Sequence, residues 1–200
     1  MDRNLTQGYR FVSLFAAALL LGGWALRATP AGAGELTRAD ARRIHWAQRY
    51  STRSIDFSTE RRALVASKYG EEYLPGEERV RYIHVPTWKW QRHADVFEVQ
   101  GESAQGPYSL IVCVHQGRIA EIEPKTSTQE SGPRIPGEFL GQFVGRGVND
   151  SFEVAASAEE AFGLPAKLRP IGDDLELSRT IARDLRKVLI WAELLKHPQT

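Results

Sequence analysis

Ile44, Ala47 and Tyr50 fall on one helical face, so residues 36–50 predict a short amphipathic helix, with Thr37 available as N-cap and Asp40 three residues on. A second helix is expected to begin at Ser58-Thr59-Glu60, to run through Ala63, Leu64 and Ser67, and to stop at Gly70, the residue best suited to a left-handed cap. Residues 71–78 hold four glutamates and Pro75-Gly76, which predicts a turn. From Val80 the period changes to two, with Val80, Tyr82 and His84 on one side and Arg81, Ile83 and Val85 on the other. Residues 96–100 and 108–114 continue as β-rich runs. The second is apolar on both faces, which suits a central strand covered on two sides. It turns at His115-Gln116-Gly117-Arg118 and returns through Ile119 to Glu123, the clearest hairpin in the chain.

Residues 124–136 are rich in Thr, Ser, Gly and Pro and predict a loop, and residues 138–143 predict a short helical turn with Phe139 and Phe143 in it. No clear period marks residues 144–170. Leu177, Ile181, Leu185, Val188, Leu189, Ala192 and Leu195 then recur at helical spacing, after Asp173 and Asp174 and before Lys196-His197-Pro198. The expected fold is α+β: a twisted, mainly antiparallel sheet packed by a long C-terminal helix, with a helical pair at the N-terminus.

The start of the chain follows a different pattern. Arg3 and Arg10 precede an uncharged run, residues 11–26, and Ala31-Gly32-Ala33 supplies small residues in an Ala-x-Ala arrangement. These are the n-region, h-region and cleavage site of an export signal. A spanning helix needs about 20 apolar residues, so a cleaved signal is favoured over an anchor; membrane contact through residues 11–26 would follow only if the signal were retained. The organisation expected is a signal peptide over residues 1–33, a helical segment over 34–78 and an α+β domain over 79–200, in an extracytoplasmic compartment.

Losing the signal changes the basic and acidic totals from 26 and 25 to 23 and 24, which argues against nucleic acid as a partner. Cys113 is the only cysteine, which excludes an intramolecular disulfide, a CxxC pair, a CxxCH haem site and a lipid-bearing cysteine after the signal. His84, His93 and His115 show no helical i, i+4 pairing and no HExxH occurs, so no metal site is expected. Trp88-Lys89-Trp90-Gln91-Arg92-His93 interleaves aromatics with bases; it reads as an amphipathic hairpin tip, with stacking on a flat ring as the functional alternative. No nucleophile motif such as GxSxG is present, and no catalytic residue is assigned.

Residues 108–123, Glu130-Ser131-Gly132, Phe139-Leu140-Gly141-Gln142-Phe143-Val144-Gly145 and Pro170-Ile171 through Ser178-Arg179 to Ala182 occur in an order and spacing that resembles the FMN-binding domain family of extracytoplasmic electron-transfer systems. The resemblance implies FMN on an α+β domain, partner subunits in a membrane-associated redox complex, and cofactor contacts at Glu130, Ser131, Gly132, Gln142, Gly172 and Ser178. Many members esterify the flavin phosphate to a threonine at the start of the last helix. Here that position falls on Leu175, which has no hydroxyl, and the small residues before it fall on Asp173 and Asp174. Covalent FMN is therefore not expected, and any FMN would be held non-covalently. Carboxylates at this helix start repel a phosphate, and Asp173 or Asp174 is expected to serve the helix as N-cap, with Asp173 and Glu176 making an acidic capping box. The function expected is an accessory of a membrane-associated electron-transfer system, or alternatively a flavin-free periplasmic binding or assembly module on the same fold.

Overall fold

Val80 and Tyr82 bury themselves on one side of their strand, Ile83 and Val85 on the other, and this division organises the protein into a sheet with two covered faces. The computed structural model describes residues 50–86, 93–125, 132–164 and 166–196. In chain order the elements are β1 (Ser51–Asp56), α1 (Thr59–Tyr69), a 3-10 turn (Glu71–Tyr73), β2 (Arg79–Val85), β3 (Ala94–Ser103), β4 (Gly106–His115), β5 (Arg118–Pro124), α2 (Gly137–Gly141), α3 (Ala158–Gly163) and α4 (Leu175–Leu194). The five strands pair in sequence order, each antiparallel to the next. With α4 packed on β3 and β4, this is the α+β fold expected.

Local chemistry explains the borders. The Ser58 side chain caps α1 by accepting from Arg61 N, and Gly70 closes it, its N–H donating to the Val65 and Ala66 carbonyls. The β4–β5 hairpin turns through Gln116 at φ 51 and Gly117 at φ 75, both in the left-handed region that a two-residue loop needs to match strand twist. Tyr108 through Val114 are all buried, as expected of a strand covered on both faces. The ladder from β4 to β5 slips at Cys113/Val114, a β-bulge beside the hairpin.

The larger core lies between the sheet and α4, where Phe97, Leu110, Val112, Ile181, Leu185, Val188, Leu189 and Trp191 meet. Each such side chain contributes about 1.5–3 kcal/mol by leaving water. Trp191 also donates to the Tyr73 carbonyl at 3.2 Å, tying α4 to the 3-10 turn. Ile83, Val85, Ala94, Val96, Ile111 and Cys113 form a smaller cluster on the opposite face, with Tyr50 and Ala120 against it.

Residues 36–49 of the expected first helix lie outside the described residues, while Tyr50 immediately precedes β1. The strand β1 was not expected: it joins β2 across the expected 78/79 boundary, so residues 51–78 share one sheet and one core with β2 to α4. The period-free stretch contains α3, capped by Ser157, whose side chain accepts from Glu160 N. No described helix is long and apolar enough to cross a membrane.

Candidate functional site

The start of α4 is the position to which the resemblance assigns a flavin phosphate. A tight turn leads into it, with Asp174 N donating to the Ile171 carbonyl at 2.9 Å and Gly172 at φ 50, where a side chain would be strained. Asp174 is the N-cap. Its Oδ1 accepts from Leu177 N at 2.9 Å and its Oδ2 from Gln105 Nε2 at 2.8 Å. The capping box expected from Asp173 and Glu176 does not form, because the helix begins one residue later and Leu177 supplies the N–H three residues after the cap.

Ser178 is fully buried. Its hydroxyl accepts from Ile171 N at 2.7 Å and donates to the Asp174 carbonyl at 2.6 Å. Gln142 is engaged in the same segment: its Oε1 accepts from Arg169 N at 2.8 Å and its Nε2 donates to the Arg169 carbonyl at 3.1 Å. Gln142 and Ser178 are thus brought to one place, around residues 169–171, where both fasten backbone. Leu175 is half-buried and packs against the main core. Gly132 sits in a bend, half-buried, and Glu130 and Ser131 lie outside the described residues. At the helix start Leu175 N, Leu177 N and Ser178 N all bond within the chain, to the Asp173 carbonyl, the Asp174 carboxylate and the Asp174 carbonyl.

Other polar groups are brought together by the fold. His84 pairs through Nδ1 with Asp95 Oδ1 at 2.8 Å, its ring lies 5.5 Å from that of His93, and His115 Nδ1 meets the His93 carbonyl at 2.9 Å. Among the described residues no three His, Cys, Asp or Glu side chains converge as metal ligands. Residues 88–92 of the Trp-Lys-Trp segment lie outside the described residues. On the second sheet face, the buried Glu98 accepts from Ser109 Oγ at 2.8 Å, Gln100 Nε2 at 2.9 Å and Lys125 Nζ at 3.0 Å. Under α4, Tyr108 donates its hydroxyl to Asp184 Oδ2 at 2.6 Å. Burial pushes both of these groups above their ordinary pKa values.

The outer flank of α4 has what the helix start lacks. A cleft of about 620 Å³ runs between α4, residues 149–154 and Tyr73, and Arg179, Arg183 and Arg186 project along it from successive turns of the helix. Arg186 donates to the Tyr73 hydroxyl at 3.3 Å and its guanidinium lies 5.3 Å from that ring's centroid. The opposite wall is fastened from behind. Arg146 Nη1 bonds the Ser151 carbonyl, Lys167 pairs with Glu153 at 2.6 Å, and Asp150 takes Gly147 N at 2.7 Å and Arg118 Nη1 at 3.1 Å. The Gly147 N–H, helped by Arg118, holds the Asp150 carboxyl below the usual carboxylate range. Both acidic groups of the wall are therefore already matched to cations outside the arginine row.

No local sequence pattern marks this cleft. Arg179, Arg183 and Arg186 read along the chain as a solvated helix face, and no local pattern connects them with residues 149–154. The only trace of it in the sequence is the spacing of the three arginines at i, i+4 and i+7, which sets them on one side of a helix. Compared with protein-family models, curated proteins and solved structures, the chain matches none.

Proposed function

We propose that this protein is an exported, flavin-free binding module built on an FMN-binding-domain-like α+β fold, acting in the extracytoplasmic space beside a membrane-associated redox complex and carrying no catalytic group. The observation that carries the reading is the start of α4. The Asp174 carboxylate holds the Leu177 N–H of the first turn, the Ser178 hydroxyl is spent on Ile171 N, and Leu175 offers nothing to esterify, which supports the flavin-free reading. Export is supported by the signal pattern of residues 1–33. A second reading, FMN held without a covalent bond, is favoured by the arginine cleft, where a phosphate and a flat ring would find guanidiniums beside Tyr73 and Phe152.

Purification from an exporting host separates the two. The first reading expects colourless protein whose intact mass is that of the chain cleaved after Ala33 and which leaves the fluorescence of added FMN unquenched. Yellow protein that releases FMN on denaturation overturns it in favour of the second.

A further inference from the structure

We infer that the cleft along α4 binds a small ligand presenting two adjacent oxyanion groups, the chemistry of a pyrophosphate. This deepens the binding-module reading and rests on it for its biological use, although the site itself can be tested separately.

The first support is charge with no hydrogen-bonded counter-ion. Neither Arg179 nor Arg183 makes a side-chain hydrogen bond or ion pair among the described residues, and both are exposed. Asp150 and Glu153 across the cleft are matched to Arg118 and Lys167. Asp184, next to Arg183 in sequence, is buried and receives the Tyr108 hydroxyl. The second support is an unmet donor. Arg186 is half-buried, and its Nε is shielded from solvent with no acceptor among the described residues. Buried donors in folded proteins are nearly always satisfied, so this one points to an acceptor from outside the chain.

Geometry sets the size of the ligand. From Arg179 to Arg186 the helix rises about 10 Å, more than one phosphate can bridge, whereas two linked oxyanions can engage successive guanidiniums in paired N–H···O contacts. The cleft is within the volume range of small-molecule sites. It also favours a free ligand over a membrane surface. Among the described residues the exposed large apolar side chains, Leu64, Val144, Phe162 and Leu164, all lie outside its lining, so the lining itself offers no insertion wedge. Asn149 and Ser151 add polar groups at the rim.

The experiment is calorimetric titration of sodium pyrophosphate into the purified protein, repeated with orthophosphate and with phosphatidylglycerol vesicles. Saturable pyrophosphate binding is expected, tighter than orthophosphate and weakened by added salt. Arg179→Glu and Arg183→Glu should each weaken it by about tenfold or more, with Arg183→Gln intermediate and circular dichroism unchanged in all three. Arg134→Glu, the same charge change at an exposed residue outside the lining, should leave it as it was. The inference is overturned by absence of saturable binding, by an equal loss in Arg134→Glu, or by binding to vesicles that pyrophosphate does not compete away. If pyrophosphate fails to bind while the protein stays colourless, this inference falls and the flavin-free reading stands. If FMN binds and survives Arg183→Glu while pyrophosphate behaves as expected, the reverse holds.

Discussion

The first turn of α4 and the flank of the same helix beyond it both carry charged or hydroxyl side chains, yet they use them in opposite ways. At the start, Asp174 and Ser178 satisfy Leu177 N, Ile171 N and the Asp174 carbonyl, and Gln105 reaches across to complete the set. Along the flank, Arg179, Arg183 and Arg186 share a cleft whose two carboxylates are paired with other cations. The first arrangement stabilises the fold by spending its side chains on backbone and sets a carboxylate where an anion would have to sit. The second gives the fold little beyond the Arg186–Tyr73 contact and leaves the Arg179 and Arg183 guanidiniums available. A helix terminus with the correct position for an anion is therefore a poor guide here, because the Asp174 cap takes the Leu177 N–H and brings its own negative charge to the turn.

Substitutions should separate the two regions by their effect on stability. Ser178→Ala leaves the half-buried Ile171 N–H without its acceptor and should cost about 1–3 kcal/mol in urea unfolding. Arg183→Ala should change stability by no more than about 0.5 kcal/mol, since it removes an exposed charge from a like-charged row. Equal losses from both would break the comparison.

A smaller effect sharpens the comparison on the buried side of α4. Burial raises Asp184 above its ordinary value, so between about pH 4 and its folded pKa the native state keeps a proton that the unfolded chain has lost. Through that window the contribution of Asp184 to stability falls as pH rises, and above it the loss is complete. Asp184→Asn keeps an acceptor for Tyr108 and carries no such loss. The stability of the variant minus that of the native protein should therefore climb with pH across the window in a series of unfolding midpoints. A difference independent of pH would contradict the account of this buried pair.

How far the sequence foretold these regions depends on whether their causes are local. The caps Ser58 and Gly70, the His115-to-Arg118 hairpin and the apolar spacing of α4 are set by neighbours a few residues away, and all were legible. The strand β1 was not, because of its six residues only Ile55 is buried and no alternation exists to read. The cap was assigned to either aspartate, but the choice of Asp174 depends on where the tight turn at residues 171–174 delivers the chain. Residues 144–157 have no period because side chains hold them in place: Arg118 bonds the Gly145 carbonyl, Arg146 the Ser151 carbonyl and Asp150 the Gly147 N–H. The cleft was the least legible of all. Its two walls are about thirty residues apart along the chain, counting from residues 149–154 to Arg183, and only the packing of α4 on the sheet brings them together.

The central claim is that anion recognition belongs to the arginine flank and not to the helix start. Pyrophosphate titration of Asp174→Ala beside Arg183→Glu tests it most directly. The account predicts that Asp174→Ala, which uncaps the helix at a cost of about 1 kcal/mol in stability, binds as the native protein does, while Arg183→Glu loses about tenfold or more in affinity. Tighter binding in Asp174→Ala together with unchanged binding in Arg183→Glu would contradict it, and would return the phosphate site to the first turn of α4.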